Sequence, residues 1–243
     1  YRDIFMDSIL IKNYKIFNYD ESNEYTDTSL TIEKDYKFNY LRKDYFELLP
    51  MPNVGQGYNK MGYDFTKNSL SPQLGAKSLN YGYVKKQDIQ YYEVPTPLSE
   101  LFFKTTFEQG QLLDALISVN TSPNFNITIA HKGLRSLGNY VDSRTSSTNL
   151  RLSTQYKNFN NRYRLRTHFV AQKLGFQENG GLDSLSVYFF EKAVEELDYD
   201  GFLDRSRLVT NIKAQNFLQG KSYHANQSYK IMPHKKDSLE YRL

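Results

Sequence analysis

Cysteine is absent from all 243 residues. That excludes a disulfide scaffold and any thiolate nucleophile or thiolate metal ligand, while leaving the cellular compartment open. Long apolar runs are absent too: nowhere do about 18 apolar residues follow one another, so no transmembrane helix is expected. The opening Tyr1-Arg2-Asp3 leads only into IFMDSILI, broken by Asp7, and does not make a signal peptide. The expectation is a cytosolic chain, or a mature or partial one. The closing run Asp237 to Leu243, DSLEYRL, reads as an interrupted strand and favours the partial alternative.

Catalytic signatures are missing in turn. There is no G-x-S-x-G, and GQGYNKMG (Gly55 to Gly62) spaces its glycines wrongly for G-x-G-x-x-G and lacks the Lys-Ser/Thr of a phosphate loop. His131, His168, His224 and His234 are scattered, with no His-x-x-x-His pair, so neither a metal nor another cofactor is indicated. The expectation is a protein that is not an enzyme. An excess of one sign of charge is also lacking: 31 basic against 27 acidic residues leave only +4, which argues against a nucleic-acid partner.

Hydrophobic residues make up only 39% of the chain, and that share includes 21 Tyr. Mean hydropathy is −0.66, so much of the apolar inventory is amphipathic. The 15% aromatic content and a clear periodicity exclude disorder as the cause.

From Leu98 onward that periodicity is two. Leu101, Phe103 and Phe107 alternate with Lys104 and Glu108. Leu113, Ala115, Ile117 and Val119 alternate with Asp114, Ser118 and Asn120, and Phe125, Ile127 and Ile129 with Asn126, Thr128 and Ala130. The stretch LRLSTQYKNFNNRYRLRTHFVA (Leu150 to Ala171) sets Arg151, Arg162, Arg164, Arg166 and His168 against Leu150, Leu152, Tyr156, Tyr163, Leu165 and Phe169. Leu208, Thr210, Ile212 and Ala214 are expected to face Tyr223, Ala225, Tyr229 and Ile231 across a turn at Gln215 to Gly220. The pattern gives about seven up-and-down strands.

Before Pro95 and Pro97 the texture differs. Residues 1–97 are rich in Tyr, Asn, Asp and Lys, with short extended-looking pieces at Ser29 to Ile32 and Tyr36 to Tyr40 and a turn-rich loop from Pro50 to Gly62. We place a boundary there, with an irregular N-terminal region at 1–97 and strands at 98–243.

Connections sort by length. Turns at Thr121 to Asn124, Asn158 to Asn161 and Gln215 to Gly220 are expected to be short, and Leu134 to Ser147 and Lys173 to Ser206 long. The turn near Gln109 to Gln111 is short where a long one is due. Tight turns at one end and long loops at the other is the layout of outer-membrane barrels. Strict alternation is what such a wall requires, with hydrocarbon on one face and water on the other. A soluble antiparallel sheet with one solvated face alternates equally well.

At the level of longer blocks the sequence resembles a known family. YKFNYLRKDYFELLPMPNVGQGYNKMGYDF (Tyr36 to Phe65), YYEVPTPLSELFFKTTFEQGQLLDA (Tyr91 to Ala115), HKGLRSLGNY (His131 to Tyr140) and NNRYRLRTHFVAQ with QENGG (Asn160 to Gly181) are similar to the putative porin family of Bacteroidota outer membranes. The resemblance implies an all-β, antiparallel, up-and-down transmembrane barrel in the bacterial outer membrane, incomplete in this chain. The region 1–97 is then periplasmic or fills the lumen. The implied function is a passive diffusion channel for small solutes, with outer-membrane lipid as its surroundings. The alternatives are a non-transporting barrel subunit docked through 1–97 or the long loops to other outer-membrane or periplasmic proteins, and a soluble β-sandwich binding protein.

Candidate pore-lining residues are Arg151, Arg162, Arg164, Arg166, His168, Asp114, Asn126 and Thr128, each on the polar side of the alternation in its own strand. Guanidiniums on a water-filled wall attract anions. A counterpart lies in the long connection. Phe190, Ala193, Val194 and Leu197 recur at helical spacing among Glu191, Glu195, Glu196, Asp198, Asp200 and Asp204, which gives an acidic loop helix that points outward or folds into the mouth.

Overall fold

The computed structural model describes residues 10–20, 22–27, 29, 31–62, 65, 75–106, 110–192, 198–199, 202–203 and 208–231. Its N-terminal part contributes five short strands: β1 (Lys15–Phe17), β2 (Asn23–Tyr25), β3 (Leu48–Pro50), β4 (Tyr58–Lys60) and β5 (Tyr91–Glu93). Then come β6 (Leu98–Thr106), β7 (Gly110–Ser122), β8 (Phe125–Ser136), β9 (Thr145–Lys157), β10 (Tyr163–Glu178), α1 (Ser184–Lys192), β11 (Asp198–Tyr199), β12 (Phe202–Leu203) and β13 (Ala214–Tyr229). The dominant element is a six-stranded antiparallel sheet in the order β13-β10-β9-β8-β7-β6, in which every neighbour in sequence order is a neighbour in space. Among the described residues it stays open, with β6 and β13 as its edges, as an incomplete barrel would be.

The strands are long because the alternation is unbroken. β7, β8, β9, β10 and β13 run for 13, 12, 13, 16 and 16 residues, beyond the roughly 9–11 that a tilted membrane strand needs. No helix among the described residues is long and apolar enough to cross a membrane, which says nothing of strands.

Several sequence expectations are corrected. Six strands replace seven, because Gln215 to Gly220 is the interior of β13: Gly220 pairs with Gln172 in a continuous register from Ala214 to Tyr229. Its glycine serves a close approach, since a Cβ there would lie 2.2 Å from the Tyr83 hydroxyl. The loop expected at Leu134 to Ser147 shrinks to 137–144, because Leu134 pairs with Ser147 and Ser136 with Thr145. The other long connection begins only after Glu178, because β10 continues five residues past Lys173. Within it α1 starts earlier than the Phe190 spacing suggests, with Asp183 accepting the Ser186 amide at its N-terminus (2.7 Å). Asp198 belongs to β11 rather than to a helix. Glu195, Glu196, Ala193, Val194, Leu197, Asp200 and Asp204 lie outside the described residues, as do Phe107, Glu108 and Gln109.

In the N-terminal part, Ile32–Lys37 is a 3-10 helix and not an extended piece. Asn39 breaks the extension that follows by accepting the Leu41 amide (2.8 Å) and donating to the Lys43 carbonyl (2.7 Å). The Pro50 to Gly62 stretch is a tight hairpin, β3 paired with β4, and its turn places Gly55 at φ 77°. β1 lies between β2 and β5 in a second small sheet.

The turns between β7 and β8 (123–124) and between β9 and β10 (158–162) share one end of the large sheet. The connections 137–144 and 179–213 share the other.

Candidate functional site: a polar wall lined by the N-terminal part

The two faces of the large sheet are inverted relative to a water-soluble one. Residues of even number on β7, β8 and β10, and of odd number on β9, point to the face that is covered. There Ser118, Asn126, Thr128, Ser153, Gln155, Arg166, His168 and Gln172 are all at most 5% exposed. On the opposite face Ile117, Ile129 and Leu152 are 58%, 53% and 38% exposed. A soluble sheet buries its apolar face because each buried side chain contributes about 1.5–3 kcal/mol there. Here the covered face mixes those polar groups with Phe102, Leu112, Leu134, Val170, Leu174 and Phe176, and the apolar rows of the opposite face are left bare.

Cross-strand register arranges the bare face in rows. From the short-turn end they are Phe125–Tyr156–Leu165, Ile127–Thr154–Thr167, Ile129–Leu152–Phe169–Tyr223 and His131–Leu150–Ala171–Lys221. Four rows span about 20 Å along a strand. Tyr163 and Tyr229, paired beyond the first row, close the short-turn end with tyrosine rings, as an interfacial aromatic girdle does.

The covered face is a hydrogen-bonded wall. Thr128 donates to Ser118 (2.9 Å), and Asn126 donates to Ser118 (3.0 Å) and to Asn120 (2.6 Å). Arg151 pairs with Asp114 at 3.0 Å. Arg166 donates its Nε–H to Gln155 (3.0 Å) and lies 5.0 Å from the Phe17 ring and 5.3 Å from the Tyr91 ring. Arg164 sits 6.0 Å from the Phe17 ring. His168 shares a 2.8 Å hydrogen bond between its Nδ1 and the Tyr91 hydroxyl, with the His224 ring 5.2 Å away. Burial pushes the Tyr91 phenol up to about 12, against the pull of the Arg166 charge, so it keeps its proton.

What covers this wall is the part of the chain that precedes it. Asn53, 2% exposed, donates to the Ser143 carbonyl (2.7 Å) and accepts from the Ser136 hydroxyl (2.7 Å). Val84 and Gln172 exchange two hydrogen bonds, at 2.9 and 2.8 Å. Tyr40 shares a 3.1 Å hydrogen bond with Ser147, and burial raises its phenol against that bond. Lys132 donates to the Tyr40 carbonyl, and Lys157 pairs with Glu93. Two apolar contacts fix the segment: Tyr40 and Tyr58 pack with Phe102, Leu112 and Leu134, and Phe17, Ile89 and Tyr91 with Val170.

Of the eight residues singled out by parity, seven share the covered face: Asp114, Asn126, Thr128, Arg151, Arg164, Arg166 and His168. Arg162 does not reach it as a strand residue. It lies exposed in the β9–β10 turn, where its carbonyl accepts the Lys230 amide (2.8 Å). Of the acidic candidates Glu191 is exposed on α1, and Glu195 and Glu196 fall outside the described residues. The base of that connection meets the N-terminal part: Leu182, Phe190 and Leu208 share a cavity of about 340 Å³ with Pro52, Tyr140 and Val141.

Sequence reasoning missed Ser136, Thr145, Ser147, Asn149, Ser153, Gln155 and Gln172, which obey the same parity, and it missed Asn53, Tyr40 and Tyr91. Among the described residues no group of three or more His, Asp or Glu could hold a metal.

The family model described as putative porin matches residues 10–242. No curated protein and no solved structure matches the chain.

Proposed function

Because the chain belongs to the putative porin family, we propose that it builds the wall of an outer-membrane β-barrel of porin type, a passive path for small solutes whose bore is narrowed by the described residues of the N-terminal part, among them Phe17, Tyr40, Asn53, Val84 and Tyr91, lying on the inner wall. Family membership points to an outer-membrane β-barrel and to a non-catalytic role. The single observation that supports the finer reading is the contrast between the faces of the sheet, with Ser118, Asn126, Thr128, Gln155, Arg166 and His168 buried on one and bare Ile, Leu and Phe on the other. A soluble sandwich would cover those rows with a second sheet, and no described residue does so. In hydrocarbon the same rows cost nothing, and the ladder pairs the backbone of β7, β8, β9 and β10 on both sides.

The charges left to act on a solute lie toward the short-turn mouth. Arg151 is neutralised by Asp114, and Arg166 is held under Phe17 and Tyr91, so Arg162 and Arg164 set the field there. Planar-bilayer recording of the purified full chain in a salt gradient tests this: discrete conductance with an anion-selective reversal potential, reduced in Arg162→Gln/Arg164→Gln. Protein that inserts and never conducts would overturn the channel. That outcome belongs to the second reading, a non-transporting barrel subunit docked to a larger outer-membrane assembly, which the dense cover on the inner wall favours.

A further inference from the structure

Beyond the apolar rows, at the long-connection end of the outer face, the surface changes character. From β8 to β13 the next two rows are Gly133–Thr148–Lys173–Gln219 and Arg135–Ser146–Gly175–Phe217, the first continuing onto apolar Leu113 and Phe103 of β7 and β6 and the second onto Gln111 and Thr105. Arg144 follows one step further on, held opposite Gln177 by hydrogen bonds of 2.8 and 3.2 Å. These residues enclose an open groove of about 720 Å³.

Its chemistry is one-sided. Arg135, Arg144 and Lys173 stand exposed around it, no carboxylate lines it, and among the described residues none of the three pairs with one. The floor between them is Ser146, Thr148 and Gly175, small side chains that leave room and offer two hydroxyls. Lys173 is steadied over the Phe217 ring at 5.7 Å. Arg135 on β8 and Lys173 on β10 are two strands apart, about 10 Å, which brackets a single polyoxyanion.

Height decides the source of that anion. The groove opens sideways, on the face that meets lipid, past the row His131–Leu150–Ala171–Lys221 in which polar side chains already flank the apolar ones, where headgroups replace hydrocarbon. We propose that Arg135, Arg144 and Lys173, with Ser146 and Thr148, form a binding site for the phosphate of a phosphorylated glycolipid of the outer leaflet, which fastens the wall to its annular lipid. The inference rests on the membrane reading above. The long-connection end faces outward in outer-membrane barrels, so the lipid is that of the outer leaflet.

The test is native mass spectrometry of the full chain released from neutral detergent, titrated with bisphosphorylated lipid A, with the same lipid after dephosphorylation, and with inorganic phosphate as competitor. Wild type should retain the phosphorylated lipid and lose it on dephosphorylation, a comparison that needs no variant. Each cation near a headgroup contributes about fivefold, so Arg135→Gln/Arg144→Gln/Lys173→Gln should weaken retention about a hundredfold. Lys12→Gln/Lys37→Gln/Lys43→Gln, which alters three exposed cations elsewhere, should not. Equal retention of both lipids, equal loss in both triple variants, or displacement by inorganic phosphate alone would overturn the site. Failure of wild type to partition into detergent or vesicles at all would instead remove the membrane reading, and this site with it.

Discussion

Replacing Leu152 by Arg introduces a charge at the centre of the bare face, in the row Ile129–Leu152–Phe169–Tyr223. On a lipid-facing wall at mid-bilayer that substitution costs about 2–4 kcal/mol, which is about thirtyfold to a thousandfold in the folded fraction. Leu165, four residues along the register, pairs with Tyr156 beside the tyrosine-rich end, so Leu165→Arg sits at headgroup depth and should cost about 0–1 kcal/mol. On a soluble sheet both are surface changes within about 0.5 kcal/mol of neutral. The assay is the guanidinium midpoint of the full chain folded into phospholipid vesicles, with the position series read against depth. A flat profile, with Leu152→Arg as harmless as Leu165→Arg, would refute a lipid-facing wall.

Asp114→Asn leaves Arg151 on the covered face without its 3.0 Å partner and should cost about 1–3 kcal/mol in the same unfolding assay, most of it absent from Asp114→Asn/Arg151→Gln. Asn53→Ala removes the donor to Ser143 and the acceptor for Ser136; a loss of about 1–3 kcal/mol should appear as faster proteolysis within residues 38–93 while the sheet persists, and unchanged cleavage would count against Asn53 as the anchor. Gly55→Ala should loosen the same segment, because φ is 77° and a Cβ would lie 2.2 Å from a Leu134 methyl; an unchanged protease pattern would contradict that. Single cysteines at Asn160 and Glu191, in a chain without any of its own, should give surface labelling on intact cells at Glu191→Cys and none at Asn160→Cys, and the reverse would invert the topology.

The large sheet was legible because a period of two records which side chains share a face, whatever lies against it. Parity therefore placed Arg151, Arg166 and His168 together with Asn126 and Thr128 without any knowledge of burial. Turn positions were less legible. Gln219-Gly220 resembles a turn, yet the glycine answers a tyrosine 137 positions earlier, Tyr83, a contact no local window contains. Strand ends slipped outward for a related reason: Ser136, Thr145 and Ser147 look like loop residues until Asn53 and Tyr40 supply their partners. The N-terminal part was opaque because its strands are three residues long and its order comes from the wall rather than from its own pattern.

That dependence fixes an order of assembly. β5 is only a few residues from β6 in sequence, yet Tyr91 bonds to His168 on β10, 77 positions later, and Val84 to Gln172, 88 positions later. Asn53 needs Ser136 at the end of β8 and Ser143 within the β8–β9 connection. None of these partners exists as a surface until β8, β9 and β10 have paired, and a three-residue strand cannot hold its shape alone. The loop-closure entropy of such separations must be met before the contacts return anything. We therefore predict that the sheet forms first and the N-terminal part docks onto it, so that pulse-labelled hydrogen exchange should protect amides of β8, β9 and β10 before those of β5. On that order, the segment covering the sheet should detach at lower denaturant than the sheet itself unfolds, and simultaneous loss of both would contradict it.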